Sequence, residues 1–133
     1  MHGEKSARGH AVLIVDDDRD VRETMADAVE STGRRVLMAA DGSEALGKLD
    51  AAPRPCLVLL DLEMRPMSGL EFIARLLARP DATQFPVVLM PASLPIPPSA
   101  RNAPRVVGAL AKPFSLDELG KLLDEHCPLL PKS

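Results

Sequence analysis

Cysteine is scarce in this 133-residue chain: there are two, Cys56 and Cys127, at a spacing that fits no metal-ligand pattern. Cys56 opens an apolar run, which suits a buried free thiol better than a disulfide. Tryptophan and tyrosine are absent altogether. A basic surplus is missing too. Lysine and arginine total 16 against 19 aspartates and glutamates, for a net charge of −3, which argues against a nucleic-acid-binding module. No apolar run approaches the roughly 20 residues of a membrane span. The opening MHGEKSARGH lacks the apolar core of a secretory signal. These absences lead us to expect a cytoplasmic protein with no membrane partner and no direct nucleic-acid partner. The length suits one domain with one core. The expected layout is a flexible N-terminus over 1–9, a folded domain over 10–127 and a C-terminal tail over 128–133.

The chain does contain short continuous apolar runs: AVLIV at 11–15, CLVLL at 56–60 and PVVLM at 86–90. Runs of this length fit strands buried on both faces, as in a parallel sheet. Weaker strand candidates are 36–38 and 106–110. Helical patterns lie between them. Val21, Met25, Ala28, Val29 and Thr32 share a face, and Gly33 sits where a C′ glycine belongs. Ser43 can cap a helix bearing Ala45, Leu46 and Leu49. Leu70, Ile73, Leu76 and Leu77 make a third stripe closed by Pro80. Ser115 to Glu118 form a capping box ahead of Leu116, Leu119, Leu122 and Leu123. Met25, Met38, Met64 and Met90 read as core filler, and the charges along 19–30 as a solvated helix face. His2 and His10 lie near the N-terminus and His126 near a helix end, none with a partner at metal spacing.

Strands and helices therefore alternate, which predicts an α/β fold with a parallel sheet and helices on both faces. One helix is in doubt. Between the fourth and fifth strands stand Pro95, Pro97, Pro98 and Pro104. Proline inside a helix costs about 3 kcal/mol, so a helix there should be short, displaced or replaced by a proline-rich loop.

Ligands of open α/β sheets bind beyond the carboxyl ends of the strands. The residues there are Asp16, Asp17 and Asp18 after strand 1, Asp61 after strand 3, and Lys112 and Pro113 after strand 5. Two like charges about 4 Å apart repel by roughly 4 kcal/mol at an effective dielectric near 20. A cation among the carboxylates, or a bound proton, must relieve this. A few carboxylate oxygens suit Mg²⁺, which keeps several waters and favours phosphate. A carboxylate beside Mg²⁺ and lysine can be a phosphoryl nucleophile. Asp18 also reads as a plain helix N-cap.

The segments VLIVDDD, LVLLDLEMRPMSGLEF and GALAKPF, in this order and at these separations, resemble the three signature segments of the response regulator receiver domain of two-component signalling. The resemblance spans roughly residues 10–127. It implies a flavodoxin-like, doubly wound sheet of five parallel strands in the order 2-1-3-4-5. It implies that Asp61 accepts a phosphoryl group from a histidine kinase or a histidine phosphotransfer protein and that an unknown downstream protein reads the result. Asp17 and Asp61 would ligate Mg²⁺, Asp16 would act largely through metal-bound water, and the Glu63 main-chain carbonyl would complete the protein's share. Lys112 and the Ala92 main-chain amide would face the phosphoryl oxygens, and the Lys112–Pro113 bond would be cis. Met67 and Gly69 match the loop after the acceptor, while Arg65 falls where the family often has proline. Such a protein is no enzyme beyond gaining and losing its own phosphoryl group.

Two switch positions depart from the family. Pro91, thirty residues after Asp61, replaces the hydroxyl-bearing switch residue, and Ala109 replaces the aromatic residue three places before Lys112. Proline has neither hydroxyl nor N–H; Ser93 carries a hydroxyl two positions late. The proline-rich stretch reads either as a tolerated loop or as a preformed partner-binding segment. An alternative reading of the whole chain is a pseudo-receiver, a phosphorylation-independent binding scaffold. A phosphatase of the haloacid dehalogenase type would also use an aspartate with Mg²⁺. Asp16-Asp17-Asp18-Arg19-Asp20 can supply its DxD, but Val21 is then out of register and Lys112–Pro113 goes unused.

Overall fold

The computed structural model describes residues 11–127; the expected N-terminal and C-terminal segments, with His2 and His10, lie outside them. Strands β1 (Ala11–Val15), β2 (Arg35–Ala39), β3 (Cys56–Asp61), β4 (Val87–Met90) and β5 (Val106–Ala109) alternate with helices α1 (Arg19–Glu30), α2 (Gly42–Leu49), α3 (Gly69–Leu77), α4 (Pro98–Arg101) and α5 (Leu116–His126). The sheet has five strands in the order β2-β1-β3-β4-β5, and every neighbouring pair is parallel.

Side-chain alternation divides the core into two layers. Leu13, Val15, Val58, Leu60, Val87 and Leu89 point to one face, where Ala45, Leu49, Phe72, Ile73 and Leu76 of α2 and α3 cover them. Val12, Ile14, Leu57, Leu59, Val88 and Met90 point to the other, under Met25, Ala26 and Val29 of α1 and Leu119 and Leu123 of α5. The three strands with the strongest apolar runs are the three inner ones. β2 and β5 are the edges and are only partly buried, which explains their weaker signals.

Several local expectations shift. Asp41, not Ser43, caps α2: its backbone is extended and its carboxylate accepts the Glu44 N–H at 2.8 Å. Ser43 already lies inside the helix. A capping box at Ser68 and Glu71 sets the phase of α3, so Phe72 is buried and Leu70 is 39% exposed. Met38 lies on edge strand β2 and is exposed, not core, whereas Met25, Met64 and Met90 are buried. Gly33 has φ of 91°, but the α1 C-cap is Ser31, so the glycine serves the turn one residue beyond C′. Asp18 caps α1, accepting the Asp20 and Val21 N–H groups, and the Ser115–Glu118 box caps α5.

The proline question has a simple structural outcome. α4 is four residues long, with Pro98 in its first turn and Pro97 at its N-cap. Proline is tolerated there because the first helical N–H groups have no intrahelical partner. Residues 91–97 form no helix or strand.

Both cysteines are buried and free; burial pushes the Cys56 thiol up to about 12. Arg34 is buried and donates from Nε to the Cys127 carbonyl at 2.7 Å and from a terminal nitrogen to Asp124 at 3.1 Å. At the opposite edge from the strand ends, Asp81 accepts from Arg79 and Arg54, whose guanidinium groups lie 5.7 and 5.3 Å from the Phe85 ring centroid. These hydrogen bonds hold the Asp81 carboxyl down to about 2, against an ordinary 3.8. A depressed carboxyl contributes stability above its unfolded pKa and loses it as pH falls through the folded one. Asp81→Asn is therefore expected to lower the melting temperature by a few degrees at neutral pH. That difference should close between about pH 4 and pH 2. Thermal unfolding of both proteins across that range checks it; a constant difference would refute the ion-pair origin.

Candidate functional site

Parallel strands deliver their carboxyl ends to one edge, so three distant segments meet there. Asp16 follows β1 and continues its register, its N–H donating to the Ala39 carbonyl at 3.2 Å. Asp61 is the last residue of β3. Lys112 lies just past β5, and its N–H donates to the Pro91 carbonyl at 2.9 Å. One carboxylate oxygen from each of Asp16, Asp17 and Asp61 lies within 4.8 Å of the others. Lys112 Nζ donates to Asp16 Oδ2 at 2.7 Å and stands 3.8 Å from Asp61 Oδ1.

Asp16 is fully buried and Asp61 is 4% exposed, while Asp17 faces solvent. Asp16 Oδ1 also accepts the Asp18 N–H at 2.9 Å, so both its oxygens are engaged. Asp61 Oδ1 accepts the Glu63 N–H at 3.1 Å. Burial raises the Asp61 carboxyl above its ordinary value, against the Glu63 N–H and Lys112, which pull it down, and with Asp16 and Asp17, which push it up. Burial acts to lower Lys112, but the Asp16 hydrogen bond and the surrounding carboxylates outweigh it and leave the ammonium raised. One ammonium among three carboxylates leaves the site short of positive charge. The donor set is all oxygen, hard and clustered, which fits a small divalent cation such as Mg²⁺.

Asp16, Asp17, Asp61 and Lys112 are thus brought together as the sequence suggested. Ala92 lines the same cavity as Lys112. Pro91 is buried beside it, its carbonyl already taken by the Lys112 N–H. Ser93 instead lines a separate hollow with Leu62, Glu63 and Pro91. Ala109 is exposed at the end of β5, beside a hollow of about 270 Å³ that it lines with Leu89, Ile96 and Val106. The Lys112–Pro113 bond is cis. Met67 packs against Gly42, and the Gly69 N–H closes the loop onto the Leu62 carbonyl at 3.2 Å.

Arg22 corrects the reading of α1 as a uniformly solvated face. It donates from Nη1 to the Asp16 main-chain carbonyl at 2.7 Å, pinning the turn that presents Asp16 and Asp17. The signal is its place six residues after Asp16, in the second turn of a helix whose N-terminus points at the site. Periodicity alone does not reveal it, because Arg22 is charged and its reach is backwards.

The chain matches the response regulator receiver domain family over residues 12–124. It is 40% identical over 111 residues to the response regulator MprA of Mycolicibacterium vanbaalenii, covering 81% of this chain and 46% of that protein. It is 38% identical over 111 residues to MprA of Mycobacterium avium, with the same coverage of 81% and 46%. The chain thus spans about half the length of the curated relatives it matches. Among solved structures it is similar to the chemotaxis protein CheY4 of Vibrio cholerae, with 28% identity, a TM-score of 0.76 and coverage of 86% of this chain and 96% of that one. It is also similar to the response regulator TrrA of Thermotoga maritima, solved in complex with Mg²⁺ and BeF, with 27% identity, a TM-score of 0.69 and coverage of 86% and 96%. The parallel order 2-1-3-4-5, the aspartates and lysine at its carboxyl edge and these matches lead to one conclusion: the chain belongs to the response regulator receiver domain family of two-component systems.

Proposed function

We infer that residues 10–127 form a receiver whose Asp61 accepts a phosphoryl group from a histidine kinase or a histidine phosphotransfer protein, and that a downstream protein reads the change. The observation that carries this reading is the meeting of Asp16, Asp17 and Asp61 oxygens within 4.8 Å, with Lys112 Nζ at 3.8 Å from Asp61. An Asp61 carboxylate oxygen attacks phosphorus and the donor's leaving group departs. Lys112 shifts its charge from Asp16 toward the phosphoryl oxygens, and the Ala92 N–H donates to one of them. Asp17, Asp61 and the Glu63 carbonyl would hold Mg²⁺ directly, with Asp16 acting through its waters. The ion would neutralise charge on the phosphoryl oxygens. The chain gains and loses this group on itself and turns over no separate substrate. Among the described residues no helix is long and apolar enough to cross a membrane, and the reading places the chain in the cytoplasm.

The test is incubation with Mg²⁺ and acetyl phosphate followed by intact mass. One added phosphoryl group is expected with Mg²⁺ present, and none when a chelator is present from the start. No adduct under donor excess would leave a scaffold of fixed conformation in its place.

The output surface should respond weakly. A ligand shifts an equilibrium only through contacts that differ between states. Pro91 offers no hydroxyl and its carbonyl is already engaged, Ala109 has no ring, and α4 is a single turn. With Mg²⁺ and beryllofluoride as phosphoryl mimic, backbone amide shifts should concentrate near residues 16–18, 61–63, 92–93 and 111–112. Residues 94–110 should move little. Large shifts across 94–110 would establish another relay and refute the uncoupling.

A further inference from the structure

The cavity that contains Lys112 and Ala92 is not itself polar. It is a groove of about 580 Å³ between α1 and the start of α5, walled by Val21, Met25, Phe114, Leu116 and Leu119. Pro113 and the exposed Asp20 and Thr24 complete its lining. Leu116 was expected on the buried stripe of α5, yet it is 67% exposed, and its apolar surface goes to this groove. Asp16, Asp17 and Asp61 do not line it. The groove therefore adjoins the two groups that would face the phosphoryl oxygens and is otherwise lined mostly by apolar side chains. Its volume is within the roughly 300–1,000 Å³ of small-molecule sites.

Phosphoryl transfer proceeds with attacking and leaving oxygens roughly in line. A phosphoryl group held by Asp61 on one side and by Lys112 and Ala92 around it has its leaving oxygen on the side away from Asp61. The groove adjoins Lys112 and Ala92 and is not lined by Asp61, so a donor's leaving group can extend into it. We propose that the groove between α1 and α5 is a leaving-group site, and that this receiver, besides its protein donor, accepts a phosphoryl group directly from an acyl phosphate with a compact apolar acyl group, aromatic or branched, in preference to acetyl phosphate. The proposal rests on the phosphoacceptor reading of Asp61. In the step, an Asp61 oxygen bonds to phosphorus and the bond from phosphorus to the acyl oxygen breaks. The electron pair leaves with that oxygen, giving a free carboxylate and an aspartyl phosphate. No proton transfer and no redox partner is required. The acyl chain lies on Leu116 and Phe114, while the acetyl methyl is too small to fill that space.

The experiment measures the initial rate of Asp61 labelling by intact mass, with Mg²⁺, for acetyl phosphate and benzoyl phosphate at equal, sub-saturating concentration. Each methylene equivalent buried contributes roughly fourfold, so the benzoyl donor should be at least about tenfold faster. Leu116→Gln should cut that advantage several-fold while leaving the acetyl rate unchanged; Leu116→Met should keep it. Since Leu116 is mostly exposed, both variants fold. An advantage absent from the wild type, or equal in Leu116→Gln, would overturn the proposal: the difference would then be the donors' own reactivity, and the groove would be free for a partner protein. Labelling by acetyl phosphate in that outcome leaves the phosphoacceptor reading standing. No labelling by either donor overturns both.

Discussion

Asp61→Asn is expected to abolish phosphoryl acceptance and, in the absence of Mg²⁺, to raise the melting temperature by a few degrees. Both effects have one cause. Burial raises the Asp61 carboxyl in the folded state. A raised carboxyl favours folding only while protonated; its contribution is present below the unfolded pKa and is lost as pH rises through the folded one. At neutral pH the ionised Asp61 is therefore a cost to the fold, which asparagine removes while its Oδ1 can still accept the Glu63 N–H. Strain of this kind is stored at sites that need a reactive group. Neighbouring variants should separate by role. Asp17→Asn should weaken Mg²⁺ binding and slow transfer. Lys112→Ala should leave Mg²⁺ binding largely intact but slow transfer by about a hundredfold or more, the scale of losing a charge-stabilising group. Lysine is a point charge on phosphate, not a metal ligand. Intact mass against time, calorimetric Mg²⁺ titration and thermal unfolding on the four proteins check the set. An Asp61→Asn protein that still gains a phosphoryl group would move the acceptor elsewhere.

Gly69→Ala is expected to damage both stability and phosphorylation, although glycine-to-alanine changes in helices are ordinarily favourable. A Cβ on Gly69 would stand 2.9 Å from Leu62 Cα and 3.0 Å from the Asp61 carbonyl oxygen. Both are backbone atoms at the end of β3, so the clash cannot be relieved by a rotamer change. Overpacking of this kind costs about 1–3 kcal/mol, and the element that must yield is the one that presents the acceptor. A misplacement of about 1 Å at a reacting group can slow a reaction by about a hundredfold. Two other glycines supply the control. Gly47 in α2 and Gly120 in α5 have nothing within 4 Å of an added Cβ, and Gly47→Ala and Gly120→Ala should each stabilise the fold by roughly 0.5–1 kcal/mol. Urea unfolding and labelling rates of the three variants test this. A Gly69→Ala protein as stable and as fast as wild type would contradict the close approach.

The sequence alone determined features whose causes are local or follow from chain order. β1, β3 and β4 are continuous apolar runs because they are buried on both faces. Asp18 and Ser115 cap helices by bonding to N–H groups within three residues. Parallel connection brings every strand's carboxyl end to one edge, and the order β2-β1-β3-β4-β5 then sets Asp16, Asp17, Asp61 and Lys112 close enough to meet. Four prolines likewise limited α4, since their cost acts residue by residue. Tertiary structure decided what depends on distance through space. Ser43 and Asp41 are equally good caps in sequence, and the end of β2 selected Asp41. Leu70 and Phe72 are both apolar, and the phase set by the Ser68 capping box buried Phe72. Leu116 fits the α5 stripe in sequence, but in space it is exposed and lines a groove. Arg22 looks like any solvated charge until the α1 turn places the Asp16 carbonyl within its reach. Gly69 matches a family loop position in sequence, but only the structure shows why a side chain is excluded there: the atoms in the way are backbone atoms of Asp61 and Leu62 at the end of β3.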